Sequence, residues 1–491
     1  AKVSCWLIRL LILGSGYNTM ISHLGLIRTF LKVMSSLDLL TNKRLDLAFK
    51  LIYLDSVEKN KEYALSVYRE HLKAFSLGSF KERGNESKEN FDCFVAEFDS
   101  VFNSIKEYGY RSDVSLVPLS RTNHAINGAH RISSAIKLEQ NIAAIILDHD
   151  EPFYDYNFFL ERGVATNFVE DAVLKFIEYS DNTYIAFIWP SAIGHDELVI
   201  KQFKNIIYKK EIHLNFNGAH NLLAQLYAGE VWLGDCSDNY SGVIGKQVEC
   251  FSTHGPVKIV VFQAENLDEV LNIKENVRRI FNIGKHSIHI TDTKREAIDI
   301  ARLILNKNGL HFLKYSVPTK YSSTYKRLSE FSMFLDINEI EQDDVIIDSG
   351  TVLSIYGIRD SYDIDYISNK SVNLKSEAKF ESHEDELKYH NVSKSTLLYN
   401  PLYNFIYMGF KFVSIEQVYK LKVNRAGMKD IDDVSLIKCI LESNKINFYK
   451  DSIRQHVSYF KVKLRIKVIE ILKAVNLFNF FYAVYKKLKG K

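Results

Sequence analysis

Asp363 and Asp365 are the residues of this chain whose types and spacing best suit chemistry. They lie in Asp363-Ile364-Asp365-Tyr366-Ile367, where polar and apolar residues alternate with period two, so on a strand both carboxylates share one face. Carboxylates held that close repel one another unless a cation sits between them. Mg²⁺ suits the place, because it takes oxygen ligands and is commonly held by one or two carboxylates together with substrate phosphates. Upstream, Asp348-Ser349-Gly350-Thr351 follows the apolar Val345-Ile346-Ile347, a buried-strand pattern. Its small residues form a turn whose backbone N–H groups can approach phosphate oxygens. Asp348 and Asp385 are the candidates for a third metal carboxylate.

The stretch resembles the nucleotidyltransferase superfamily, whose signature is a Gly-Ser type turn followed by a strand carrying Asp-x-Asp. More closely, it is similar to the LicD/fukutin-type phosphotransferases of glycan synthesis through Asp348, Gly350, Thr351, Leu353, Arg359, Asp363 and Asp365, although Ser349-Gly350 reverses the usual order. The resemblance implies Mg²⁺ on Asp363 and Asp365, with Asp348 beside them, and a nucleotide donor positioned by Ser349, Gly350, Thr351 and Arg359. Farther on, Phe405–Val413 reads as a hairpin and Ser414-Ile415-Glu416-Gln417 as a capping box opening a helix. The family often has a helical segment here bearing an Arg and a Lys-Asp-x-x-Asp run. That implies Lys422, Arg425 and Lys429 as neutralisers of donor phosphates.

Two earlier stretches also read as phosphate-handling. Val114–Pro118, the turn Asn127-Gly128-Ala129-His130-Arg131 and Ala143–Leu147 give strand, turn, amphipathic helix and strand. A turn at a helix N-terminus that offers backbone N–H groups, an imidazole and a guanidinium suits a phosphate. The segment is similar to the ParB/sulfiredoxin fold, which implies a nucleotide or phosphorylated substrate held by Asn127, Gly128, His130 and Arg131.

Next, Thr183–Pro190 and Gly255–Phe262 read as strands, 267–280 as a helix, and Gly284–Thr293 as a strand and loop before a further helix. This pattern resembles nucleoside diphosphate kinase. His289 stands where that family has its phosphorylated histidine, Thr291 and Asp292 where it has serine and aspartate, and Tyr227 where it has an active-site tyrosine. The resemblance implies an imidazole that takes up a phosphoryl group and passes it on. Trp189 replaces the family's phosphate-binding lysine and His286 its asparagine.

These readings predict an α/β multidomain chain. A helical region covers 1–94, a ParB/sulfiredoxin-like α+β domain 95–165 and a ferredoxin-like, nucleoside diphosphate kinase-like domain 166–315. A nucleotidyltransferase-like α/β domain follows at 330–450 and a basic amphipathic helix at 451–491. The 491 residues, with 46% hydrophobic and 25% charged residues and a net charge of +3, describe an ordinary globular protein with no global attraction for nucleic acid. Cys5, Cys93, Cys236, Cys250 and Cys439 are scattered without metal-type spacing, as in a reducing cytoplasm. The apolar run Cys5–Gly14 is too short to span a bilayer and reads as a helix of the fold. In the tail from His456, lysines alternate with apolar and aromatic residues, which suits contact with an anionic membrane face.

The expectation is therefore a cytoplasmic, inner-membrane-associated, Mg²⁺-dependent transferase of bacterial surface-polysaccharide synthesis. It would move a nucleotidyl or substituted phosphoryl group from an NTP or CDP-linked donor to a sugar or polyol, lipid-linked or free, with an added kinase activity upstream. The alternatives are a nucleotidyltransferase modifying protein or RNA, of toxin or defence type, and a nucleotide-sensing scaffold of a glycan assembly complex.

Overall fold

The computed structural model describes residues 31–82, 88–253, 255–369 and 379–443, with short stretches between 464 and 481. The expected N-terminal helix at Cys5–Gly14 and most of the basic tail lie outside these residues. Within the described residues, three sheets and the helices around them make an α/β arrangement, as expected.

The first sheet has the order β1-β3-β2, with β1 (Leu31–Ser35), β2 (Val117–Leu119) and β3 (Asn141–Ile146). β1 pairs antiparallel with β3, from Leu31↔Ile145 to Ser35↔Asn141, so the N-terminal region is not purely helical. The boundary expected at residue 94 falls inside the helix Phe91–Tyr108. Tyr53 and Tyr68 from the preceding helices pack on Phe98 of that helix, and one apolar core continues through both expected units. The reason is economy of burial: neither a helical hairpin nor a three-stranded sheet can cover its own apolar face.

The second sheet, in the order β5-β6-β4-β7, is antiparallel throughout. Its strands are β4 (Thr183–Ile188), β5 (Ile206–Ile212), β6 (Val257–Gln263) and β7 (Ile288–Ile290). β4 is buried at every position, which is why Thr-Tyr-Ile-Ala-Phe-Ile reads as a continuous run with little alternation. The helix Leu267–Phe281 buries Val270, Ile273 and Val277 between β6 and β7, and Asn266 caps its start.

The third sheet is mixed, in the order β10-β9-β8-β12-β11. It contains β8 (Val345–Asp348), β9 (Ile364–Ser368), β10 (Phe380–Ser382), β11 (Asn404–Tyr407) and β12 (Phe410–Val413). Ahead of it, the helix Ser323–Ile337 leads into the sheet and packs Phe331 on Tyr366 and Phe380. Phe312 lies against Phe405 and Tyr407, and the Asn308 amide donates to the carbonyls of Pro401, Leu402 and Asn404, tying the last two sheets together. Among the described residues no helix is long and apolar enough to cross a membrane.

Candidate metal centre

β8 delivers Asp348 at its end, and the chain then reverses through Ser349 at φ +50° into the helix Ser349–Ile355. The turn is closely packed at Gly350, where a Cβ would meet Ser361 Oγ at 3.1 Å. β9 runs antiparallel beside β8 with Asp348 opposite Asp365, and β10 runs parallel to β9 with Glu381 opposite Asp365. Residues directly opposite share a face, so this register brings three carboxylates from three strands side by side.

Asp363 stands just before β9, held by its carbonyl, which accepts from Thr351 Oγ1 at 3.0 Å and Ser361 Oγ at 2.6 Å. The result is a cluster in which oxygens of Asp363, Asp365 and Glu381 all lie within 4.8 Å of one another. Glu381 is exposed, Asp363 half-buried and Asp365 buried. Burial, joined by the charges of Asp363 and Asp348, pushes the Asp365 carboxyl up to about 6 against the opposing pull of His383.

Glu381 was not among the candidates for the third carboxylate. Asp348, which was, occupies a different place. It is fully buried, and its Oδ1 accepts the Ser349 N–H at 2.7 Å. Its Oδ2 lies 3.2 Å from His383 Nδ1 and 3.0 Å from His390 Nε2. Burial alone would raise this carboxyl, but His390 and His383 together hold it well below the usual carboxylate range. Asp385 is exposed and takes no part in the cluster. The His383 ring also faces Asp365, with Nε2 3.4 Å from Oδ1.

The cations assigned to donor phosphates are directed elsewhere. Arg359 grips Asp433 through two bonds of 2.8 and 3.0 Å. Lys422 is buried between Asp430 (3.0 Å) and Asp433 (2.9 Å). Arg425 donates twice to Asp430 and once to Glu386. Burial raises Asp430, but Arg425 and Lys422 overcome it and hold the carboxyl at about 2. These side chains clamp the helices Ile415–Arg425 and Asp430–Leu441 to the loop before β9, a structural duty. Lys429 alone of the three helical cations is exposed, at the head of the second helix. Thr351 and Ser349 are likewise buried, and the Thr351 hydroxyl donates to the Asp363 carbonyl. The expected capping box is half formed: Ser414 caps Gln417 N–H, while the Gln417 amide donates to the His390 carbonyl at 2.6 Å.

The His289 region is organised differently. His289 Nε2 lies 3.0 Å from Glu296 Oε1, and the Tyr227 ring meets the imidazole edge-on at 5.0 Å, so the structure does bring these two expected residues together. Both line a cavity of about 1050 Å³ that also receives Lys246, Lys274, Arg278, Lys285 and Arg295. Its far wall comes from Tyr325 and from Met408, Gly409 and Phe410. The β11–β12 turn is at the start of β12, which runs parallel to β8, so this cavity is at the opposite end of the third sheet from Asp348. Trp189 is a core residue stacked on Phe187 at 6.0 Å. The Thr291 hydroxyl is buried and accepts from Ile185 N–H, and Asp292 pairs with Lys274 at 2.5 Å, so neither stands free beside the histidine.

At the N-terminal turn the expected phosphate cluster is dispersed. Gly128 has φ +90° and Asn127 Oδ1 accepts its N–H at 2.6 Å. Arg131 folds back over Gly128 and donates to the Leu116 carbonyl at 3.2 Å. His130 turns inward, stacking on Phe98 at 4.6 Å with Nε2 2.7 Å from the Tyr68 hydroxyl. Burial pulls this imidazole down to about 4.

Glu381, His383 and His390 are the site residues that sequence reasoning missed. Phe380-Glu381-Ser382 is a three-residue strand, too short for periodicity to single out, and the histidines sit in a polar run that resembles a surface loop. Comparison with protein-family models, with curated proteins and with solved structures gives no match for this chain.

Proposed function

We propose that the chain is a divalent-metal-dependent transferase that moves a nucleotidyl or substituted phosphoryl group onto a hydroxyl. The observation that carries this is the convergence of Asp363, Asp365 and Glu381 oxygens within 4.8 Å of one another, one of them on a buried residue. Three carboxylates so close fit a hard cation with oxygen ligands, and Mg²⁺ is the ion such a set takes. Held by Asp363, Asp365 and Glu381, it would supply charge stabilisation at the transferred group. Asp365 anchors the inner side of the cluster, and Asp363 and Glu381 form its outer side, where a donor phosphate has access. The Gly350 turn lets backbone approach the cluster closely, its N–H reaching Asp365 Oδ2 at 3.4 Å. The LicD/fukutin resemblance makes the donor an NTP or CDP-linked compound and the acceptor a sugar or polyol, as in surface-polysaccharide synthesis.

The test is to incubate the protein with Mg²⁺, sugar and polyol acceptors, and a panel of nucleoside triphosphates and CDP-linked donors, following nucleotide release and product mass by mass spectrometry. Turnover that needs metal and disappears in Asp363→Ala/Asp365→Ala supports the reading. Turnover indifferent to that double change removes it.

A second centre is favoured by the cavity at His289. The strand order of its sheet is that of a split β-α-β arrangement, and a histidine beside Glu296 faces a cavity lined with lysines and arginines together with Glu230, Asp292 and Asp299. This supports phosphoryl transfer to His289. With γ-labelled ATP, an acid-labile label that is absent from His289→Ala but present in Asp363→Ala/Asp365→Ala is the expected result. Its absence from the wild type leaves the cavity without a phosphotransfer role.

A further inference from the structure

Resting on the metal reading above, we infer that Asp348 and His383 form a positioning relay for the metal-binding carboxylate of Asp365. Asp348 is too deep to receive a ligand from outside, and both of its oxygens are engaged. Yet it stands directly opposite Asp365 in the β8–β9 register. Between their side chains lies the His383 ring. Its Nδ1 is 3.2 Å from Asp348 Oδ2 and its Nε2 is 3.4 Å from Asp365 Oδ1. An imidazole has polar atoms at two edges of one rigid ring, so fixing one nitrogen fixes where the other points.

Asp348 is itself immobilised by Ser349 N–H and by His390, whose carbonyl is held by Gln417 at 2.6 Å. On its other oxygen, Asp365 meets the Gly350 N–H of the same turn. The Asp365 carboxylate is thus oriented from behind by two contacts that both trace back to Asp348 and its turn. Its remaining edge is left toward Asp363 and Glu381. Carboxylates and histidines behind a metal's ligands act in this way elsewhere, and losing one typically costs about 10–100-fold in metal affinity.

The probe is Mn²⁺ alone, its free concentration read by electron paramagnetic resonance during titration of the full chain, with melting and circular dichroism to report the fold. His383→Ala is expected to weaken Mn²⁺ binding about 10-fold or more and to alter the spectrum of the bound ion. Asp348→Asn, an isosteric change that keeps His383 but weakens its hold, is expected to shift affinity in the same direction and serves if the alanine variant does not fold. A folded His383→Ala or Asp348→Asn protein that binds Mn²⁺ as the wild type does overturns the relay while leaving the metal centre standing. Wild-type protein that binds no Mn²⁺, or binds it equally well with Asp365→Asn, overturns the metal reading and the relay together.

Discussion

At the turn 127–131 and at 363–365, where β9 begins, the chain carries two short polar motifs of similar size, each beside a glycine turn at the start of a helix. In the first, the histidine is drawn into an aromatic core against Phe98 and Tyr68, and the arginine closes over its own glycine. In the second, cross-strand register adds a carboxylate that the motif lacked, while the neighbouring cations are bound to Asp430 and Asp433. The contrast shows what separates a usable site from a motif. An imidazole has an apolar face that a core can absorb, so burial can claim it. Clustered carboxylates have no such face, and a cation or a bound proton must relieve their repulsion.

The largest test of this contrast acts on the metal centre. Asp363→Ala/Asp365→Ala should lower metal-dependent turnover by at least about 10³-fold, the loss of several kcal/mol of charge stabilisation, as measured by nucleotide release. Arg131→Ala should do almost nothing to the same rate.

Next in size is the clamp that keeps cations away from the cluster. Asp433→Ala leaves Lys422 and Arg359 without their shared partner, with Lys422 fully buried. It should destabilise the protein by about 3–5 kcal/mol in denaturant titrations. Retention of full stability would mean that these cations are available to a ligand after all.

The two regions should also respond to pH with opposite signs. His130 is held at about 4, below a free histidine, so the folded state resists its protonation. The stability it contributes is present above about 6.5 and lost as pH falls toward 4, by about 3 kcal/mol. His130→Gln should flatten that acid limb. Asp365 is raised to about 6, so the folded state favours its proton. Without metal, its contribution is present below about 4 and lost as pH rises to about 6, again by about 3 kcal/mol. Asp365→Asn should remove this loss, and so should saturating Mg²⁺; melting curves across pH 4–7 with and without metal read both effects.

The smallest expected effect belongs to Arg131. Its contact with the Leu116 carbonyl is local, so Arg131→Ala should change turnover by less than about twofold and stability by about 0.5 kcal/mol. A tenfold loss of donor affinity in that variant would restore the turn as a ligand site.

Much of the fold was legible along the chain. β4, β6, β8, β9 and the β11–β12 hairpin were readable from apolar runs and period-two alternation, and the helix after Asn266 from its periodicity. Tyr227 and His289, implied as neighbours by the resemblance to nucleoside diphosphate kinase rather than by any local pattern, do meet. β1 was missed because Leu31-Lys32-Val33-Met34-Ser35 is a short edge segment whose partner β3 lies more than a hundred residues away. β10 was missed for a similar reason, because the parallel partner that makes it a strand cannot be inferred locally. The misassigned cations have a common cause. Lys422, Arg425 and Arg359 look solvated in sequence, and only helix packing brings Asp430 and Asp433 within reach of them.

By itself the amino-acid order determined which groups could do chemistry: the Asp-x-Asp alternation and the glycine turn before it. Those follow from side-chain type and from the two-residue repeat of a strand, both of which are local. Tertiary structure decided which of these groups remain available. Strand register supplied Glu381 and set Asp348 opposite Asp365, while side-chain and helix packing placed His383 between them and put His130 in a core. Burial and charge pairing depend on neighbours distant in sequence, and those neighbours exist only once the chain has folded.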